Sequence, residues 1–188
     1  TDSQRVFPFD EAGNILYYEV VEVPDNNLEE LKVNAKSYLK ENLKLKDKKF
    51  EKLLTKKNSY FEFDNKSNTF KSKKDYVVYP GKFLKHAKGS VTYKVVIALK
   101  AKKYRYYFTD FVFHPFELNR YGKYAPVAGK SLPLNKPNLQ KEILKENECI
   151  RFENAIHADI LELKAYMSTK ELDNKVQKKD TVKIMTDW

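Results

Sequence analysis

Apolar and polar residues alternate along two runs in the middle of the chain, Val91-Thr-Tyr-Lys-Val-Val-Ile-Ala-Leu99 and Tyr104-Arg-Tyr-Tyr-Phe-Thr-Asp-Phe-Val-Phe113, separated by Lys100-Ala-Lys-Lys103. A period of two in β-branched and aromatic residues around so short a connection predicts a half-buried antiparallel hairpin. A turn centred on Ala101 and Lys102 sets Leu99 opposite Tyr104, Ile97 opposite Tyr106, Val95 opposite Phe108 and Val91 opposite Val112. That face is the expected core. The other face carries Lys94, Val96, Arg105, Tyr107, Thr109 and Phe111, a mixed polar and aromatic surface. Of these, Lys94, Arg105, Tyr107, Thr109 and Phe111 make a candidate binding face. The alternative is a sheet face that simply meets water, as antiparallel sheets commonly do. Asp110 falls on the core side of this register, so it must be hydrogen-bonded there or sit at a bulge that turns it outward.

Around the hairpin the pattern changes period. Ile15 to Val23 reads as a strand that Pro24 ends. Asn27 and Glu30 form a capping box, and Leu28, Leu31, Ala35, Tyr38 and Leu39 recur on one face, which predicts an amphipathic helix over 28–42. Tyr60-Phe-Glu-Phe63 and Tyr76-Val-Val-Tyr79 are short strand candidates, the first followed by the turn-like Asp64-Asn-Lys-Ser-Asn68. Four prolines and two glycines between Pro115 and Pro137 predict a long surface connection. From about Leu139 to Leu172 two apolar stripes run at helical spacing, one through Leu139, Ile143, Ile150, His157 and Leu161, the other through Phe152, Ile156, Ile160, Leu163 and Met167. They imply a helix buried on a broad face or one broken midway. The expected architecture is α+β: a curved antiparallel sheet with a helix from the N-terminal half and a long C-terminal helix on one face. It is read as a single domain over 1–172, followed by a polar tail over 173–188.

Composition narrows the picture only a little. Charged residues are 33% of the 188, and the net charge of +10 suits an anionic partner, yet lysines and acids interleave, as in Lys44-Leu-Lys-Asp-Lys-Lys-Phe-Glu-Lys52, the mark of a solvated surface. A lone cysteine, Cys149, permits no intrachain disulfide and sits in a helical pattern as a packed thiol. His86, His114 and His157 lack the spacing of a zinc site, and five glycines leave no phosphate loop, so no metal, cofactor or catalytic constellation is predicted. Asp110 and Arg105 are read as structural rather than as an acid–base pair. No apolar run reaches the ~20 residues of a transmembrane helix.

The segments Phe7-Pro-Phe-Asp-Glu-Ala-Gly-Asn-Ile-Leu-Tyr-Tyr-Glu-Val-Val-Glu-Val23, Leu31 to Leu39 and Lys103-Tyr-Arg-Tyr-Tyr-Phe-Thr-Asp-Phe111 together resemble an exported Bacteroidetes family of unknown function with a TATA-binding-protein-like fold. The resemblance implies an exported protein, periplasmic or at the cell surface, and a first residue of Thr rather than Met fits an expected trimmed leader. It implies no DNA binding, because a fold name carries no function. Three classes are weighed. A noncatalytic binding or envelope-interaction domain for a protein, glycan or small ligand ranks first, and a nucleic-acid binder using basic charge and sheet aromatics second. An enzyme with an unrecognised site ranks last.

Overall fold

The fold follows from which face each strand buries. In the computed structural model residues 7–54, 61–81 and 86–169 are described, and among them the chain forms seven strands and four helices. Strands β1 (Tyr17–Glu22), β2 (Phe61–Asp64), β3 (Thr69–Val78), β4 (Gly89–Lys100) and β5 (Lys103–Leu118) make an open antiparallel sheet in the order β1-β5-β4-β3-β2. Short strands β6 (Tyr124–Pro126) and β7 (Leu132–Pro133) pair with the far half of β5. Helix α1 (Leu28–Asn42) keeps both reciprocal bonds of its Asn27–Glu30 capping box. It is followed by α2 (Asp47–Leu54), α3 (Lys136–Gln140) and α4 (Glu146–Met167).

Helices α1 and α4 both lie on one face of the sheet. Leu31, Ala35, Tyr38 and Leu39 of α1 and Phe152, Ile156, Leu163 and Met167 of α4 are buried against Val91, Val95, Ile97, Leu99, Tyr104, Tyr106 and Phe108. Aromatic rings tie the layers: Phe152 meets Tyr93, Phe111 and Tyr76 at centroid separations of 6.3, 5.8 and 5.1 Å. Cys149 is buried, its thiol pushed up to about 11 chiefly by burial, which removes it from nucleophilic chemistry at neutral pH.

Several sequence expectations are corrected. The hairpin pairs as predicted from Leu99–Tyr104 to Val95–Phe108, but Val91 faces Phe113 rather than Val112. A β-bulge between Thr92 and Lys94 sets Asp110 and Phe111 together against Tyr93. Asp110 takes a left-handed backbone (φ 54°) and is exposed, while every residue beyond it changes face. Phe111 therefore leaves the candidate binding face: it is buried, stacked on Tyr93 at 5.3 Å. Pro115 does not end the strand, and the expected loop carries β6 and β7, because proline is tolerated where no ladder bond is required of it. The long helical pattern is broken, with α3 and α4 separated and α4 ending at Met167. Of the two stripes, the one through Ile150, His157 and Leu161 is exposed and the Phe152 stripe is buried. Within Lys44–Lys52, read as solvated, Phe50 is buried on α2 against Phe61. Tyr60, the end of the pattern at Leu172 and the 173–188 tail lie outside the described residues.

Candidate functional site

The sheet face turned away from α1 and α4 is lined by residues that the strand period forces outward. Cross-strand rows run Glu62–Lys71–Val96–Tyr107–Tyr18, then Thr69–Ala98–Arg105–Val20, and Lys73–Lys94–Thr109. Paired residues share a face, so these rows are one surface. Lys94, Arg105, Tyr107 and Thr109 lie on it together, with Phe111 excluded by the bulge.

Across this face, between β2 and β5, lies a groove of about 420 Å³ whose lining includes Glu62, Lys71, Lys73, Thr92, Lys94 and Asp110. Its floor is charged in an unusual way. Lys73 stands directly opposite Lys94, a like-charge cross-strand pair that destabilises the ladder unless an anion lies nearby. The bulge supplies one: Asp110 Oδ2 accepts from Lys94 Nζ at 2.7 Å, both side chains being about half exposed. Lys71 Nζ lies 3.6 Å from the Glu62 carboxylate, whereas Lys73 has no ion pair among the described residues. Beside the groove, Tyr18 and Tyr107 meet at 4.9 Å, and the Arg105 guanidinium sits 5.7 Å from the Tyr107 ring. Ammonium donors, carboxylate acceptors and a threonine hydroxyl thus line one open groove, and exposed aromatic surface lies on the same sheet face outside its lining. That set can hold a ligand by hydrogen bonds and charge.

A second polar cluster is buried under the helices. Lys74, one residue from Lys73, donates to both oxygens of Asp159 at 2.6 Å, to Asn42 Oδ1 at 2.6 Å and to the Tyr38 hydroxyl at 3.2 Å. Tyr38 and Tyr93 hydroxyls also donate to Asp159, at 2.7 and 3.1 Å. Burial lowers the Lys74 pKa although Asp159 pulls it upward, and burial, then the Asp159 charge, raises Tyr38 and Tyr93 well above the usual phenol value. Every member is bonded within the protein. The cluster joins α1, β3, β4 and α4 and is a structural clasp.

The histidines stay apart. His114 lies between the Thr92 and Ser131 hydroxyls, each at 2.9 Å; His86 stacks on Tyr124, and His157 packs edge-on against Tyr17. Among the described residues no group of three His, Cys, Asp or Glu could hold a metal ion. Nor, among them, is any helix long and apolar enough to cross a membrane, a statement that leaves β-barrels aside.

Lys71, Lys73, Glu62 and Tyr18 join the surface without having been singled out by the sequence. In β3 the core-facing positions include Ser72 and Lys74, so Phe70-Lys-Ser-Lys-Lys-Asp-Tyr76 shows no alternation to read. The recognisable signal was Phe70, two residues past the turn at Asp64–Asn68.

A family model described as a domain of unknown function (DUF4468) with TBP-like fold matches residues 17–114, from the start of β1 to His114 in β5. A crystal structure of a TBP-like protein from Parabacteroides distasonis is 18% identical with a TM-score of 0.54, over 88% of this chain and 99% of that one. A crystal structure of a DUF4468 family protein from Bacteroides ovatus is 12% identical with a TM-score of 0.51, over 89% and 93%. At such identities the likeness concerns the fold alone. No relative is found among curated proteins.

Proposed function

The chain belongs to the DUF4468 family of unknown function with TBP-like fold, and from that premise we propose that it is a noncatalytic, exported binding domain whose open sheet face takes an acidic glycan. The observation that carries this reading is the groove in which Lys71, Lys73 and Lys94 alternate with Glu62 and Asp110. Lysines suit the carboxylate of an acidic sugar, the two protein carboxylates accept from sugar hydroxyls, and Tyr107 with Tyr18 offers apolar area to a ring face. A nucleic acid fits this groove worse. Glu62 and Asp110 would stand against phosphates, and Tyr18 and Tyr107 already cover part of one another.

Titration calorimetry with a uronic-acid oligosaccharide and its neutral counterpart tests the ligand class. Binding of the acidic sugar alone, weakened at least several-fold in Lys73→Glu, is the expected result. Equal binding of both sugars, or selective binding of single-stranded nucleic acid that survives physiological salt, overturns it. The export part is supported by the sequence resemblance and is tested by fractionating cells that make the full-length protein. Recovery from the cytosol would overturn that part.

A further inference from the structure

We infer that the hairpin of β5 and β6 is a peripheral contact for an anionic lipid bilayer, on a surface separate from the open-face groove and independent of its ligand. From Leu118 to Lys141 the chain carries Arg120, Lys123, Lys130, Lys136 and Lys141 and no acidic residue, against a net charge of +10 for the whole protein. The run from Tyr76 to Thr109 is likewise free of acids, so what sets this segment apart is the exposed apolar surface that accompanies its cations. The same segment holds four of the exposed large apolar residues: Leu118, Tyr121, Tyr124 and Leu132, with Tyr121 70% and Leu118 60% exposed.

The hairpin tip is built, not loose. Asn119 N–H donates to the Lys123 carbonyl at 2.9 Å, and the Asn119 side-chain oxygen accepts from the Tyr121 and Lys123 amides at 2.9 and 3.0 Å. Gly122 supplies the left-handed backbone (φ 69°) that closes the turn. Tyr121 is thereby fixed at the apex, with the Arg120 guanidinium 4.8 Å from its ring, and Leu118 pairs with Tyr124 on one side of the ribbon. Lys130 is taken by Glu117 at 2.9 Å and Lys136 lies over the Phe9 ring, but Arg120 and Lys123 have no acidic partner among the described residues.

Two tyrosines and a leucine flanked by two unpaired cations match the headgroup zone of a membrane. Amphipathic rings settle at the apolar boundary, and each cation is drawn to an anionic surface. Because the turn is already ordered, little further ordering accompanies contact. Three apolar side chains make a reversible attachment, not an anchor.

Sedimentation of the intact protein with vesicles of phosphatidylcholine alone, or of phosphatidylcholine with phosphatidylglycerol, tests this. The expected result is pelleting several-fold greater with the anionic vesicles, falling several-fold in Tyr121→Ser and in Arg120→Glu with Lys123→Glu. A control of equal charge change on α2, Lys48→Glu with Lys49→Glu, should pellet as the wild type does. Equal pelleting with both vesicles, or equal loss in the control and the tip variants, would overturn the inference, because the first removes the charge preference and the second assigns it to net charge. Loss of single-stranded DNA binding in parallel with vesicle binding would overturn it too, by showing a general polyanion contact.

Discussion

Lys73 and Lys74 are consecutive residues of one strand with opposite surroundings. Lys74 points under the helices, bonded to Asp159, Asn42 and Tyr38; Lys73 points to the open groove, opposite Lys94, with no ion pair among the described residues. The period of the strand alone separates them. On the covered face a charge is kept only because a complete set of acceptors surrounds it, so the chemistry there is used up in holding four elements together. On the open face water solvates the ammonium group, which leaves it available to a ligand. One face stores stability and the other keeps its charges in water.

The largest test of that division removes the acceptor from the covered face. Asp159→Ala leaves the Lys74 ammonium and two tyrosine hydroxyls buried without their shared partner, and should cost about 3–5 kcal/mol. Urea denaturation measures it. The double variant Lys74→Met with Asp159→Leu should recover most of the loss, since an apolar pair needs no acceptors. A single-variant loss below about 1 kcal/mol, the range of exposed ion pairs, would erase the contrast between the two faces.

A second effect of comparable size comes from pH. Burial is the leading cause that raises Tyr17, Tyr38, Tyr93, Tyr104 and Tyr106 above the ordinary phenol value of 10.0. Above that pH the unfolded chain releases these protons and the folded chain keeps them, so the native state binds more protons and stability falls as pH rises. Each tyrosine contributes up to about 1.4 kcal/mol per pH unit. Lys74 acts in the opposite sense, since its lowered value means that the unfolded state binds more protons between the folded value and 10.5, but it is one group against five. Denaturation midpoints should therefore drop steeply above pH about 10. Tyr104, whose buried hydroxyl has no hydrogen-bond partner among the described residues, gives the check: Tyr104→Phe should flatten the slope without loss at neutral pH. An unchanged slope would contradict the assignment.

The bulge that supplies the groove with Asp110 gives a smaller effect. At φ 54°, Asp110→Ala should lose part of the ~1–2 kcal/mol that a left-handed backbone costs an L-residue, because alanine keeps the crowded Cβ but lacks the short polar side chain that makes aspartate tolerant, while Asp110→Asn keeps that side chain and Asp110→Gly removes the crowding. Thermal unfolding of the three should rank Ala lowest. Equal stability of Ala and Gly would mean that the backbone relaxes and the bulge does not fix the carboxylate.

The same bulge marks where the sequence stops being readable. Register near the turn follows from the two residues Ala101 and Lys102, and Leu99–Tyr104 to Val95–Phe108 came out directly. Past Thr109, one extra residue moves Phe111 inward and Asp110 outward, and nothing in Thr109-Asp-Phe-Val112 reveals it except the polar residue that the core could not otherwise accept. Helix α1 was fully legible because its cap and its stripe agree. Strand β3 was not, since Lys74 and Ser72 occupy core-facing positions that pattern reading assigns to apolar residues, and Lys74 depends on Asp159, 85 residues away. Most of the groove was hidden with it. Of its lining only Lys94 was read on this face, through an alternation it shares with a core; Asp110 was expected on the core side, Thr92 was not singled out, and Lys71 and Lys73 lie on a strand whose alternation is broken by the clasp.

The smallest expected change returns to the two neighbouring lysines. Lys73→Ala removes one side of the like-charge pair with Lys94, so its stability should stay within about 0.5 kcal/mol of wild type, on the side of a gain. Lys74→Ala strips the charge from the clasp and leaves Asp159 buried without its cation, so it belongs with the large effects. Pairing Lys73→Ala with Lys94→Ala completes a cycle: if the two ammonium groups repel, the second substitution should gain less once the first is made. Additive effects would mean that Asp110 already neutralises Lys94, in which case Lys73 alone is the unmatched charge and its removal should abolish acidic-glycan binding while Lys94→Ala only weakens it. Denaturation and calorimetry on the same four proteins separate these outcomes.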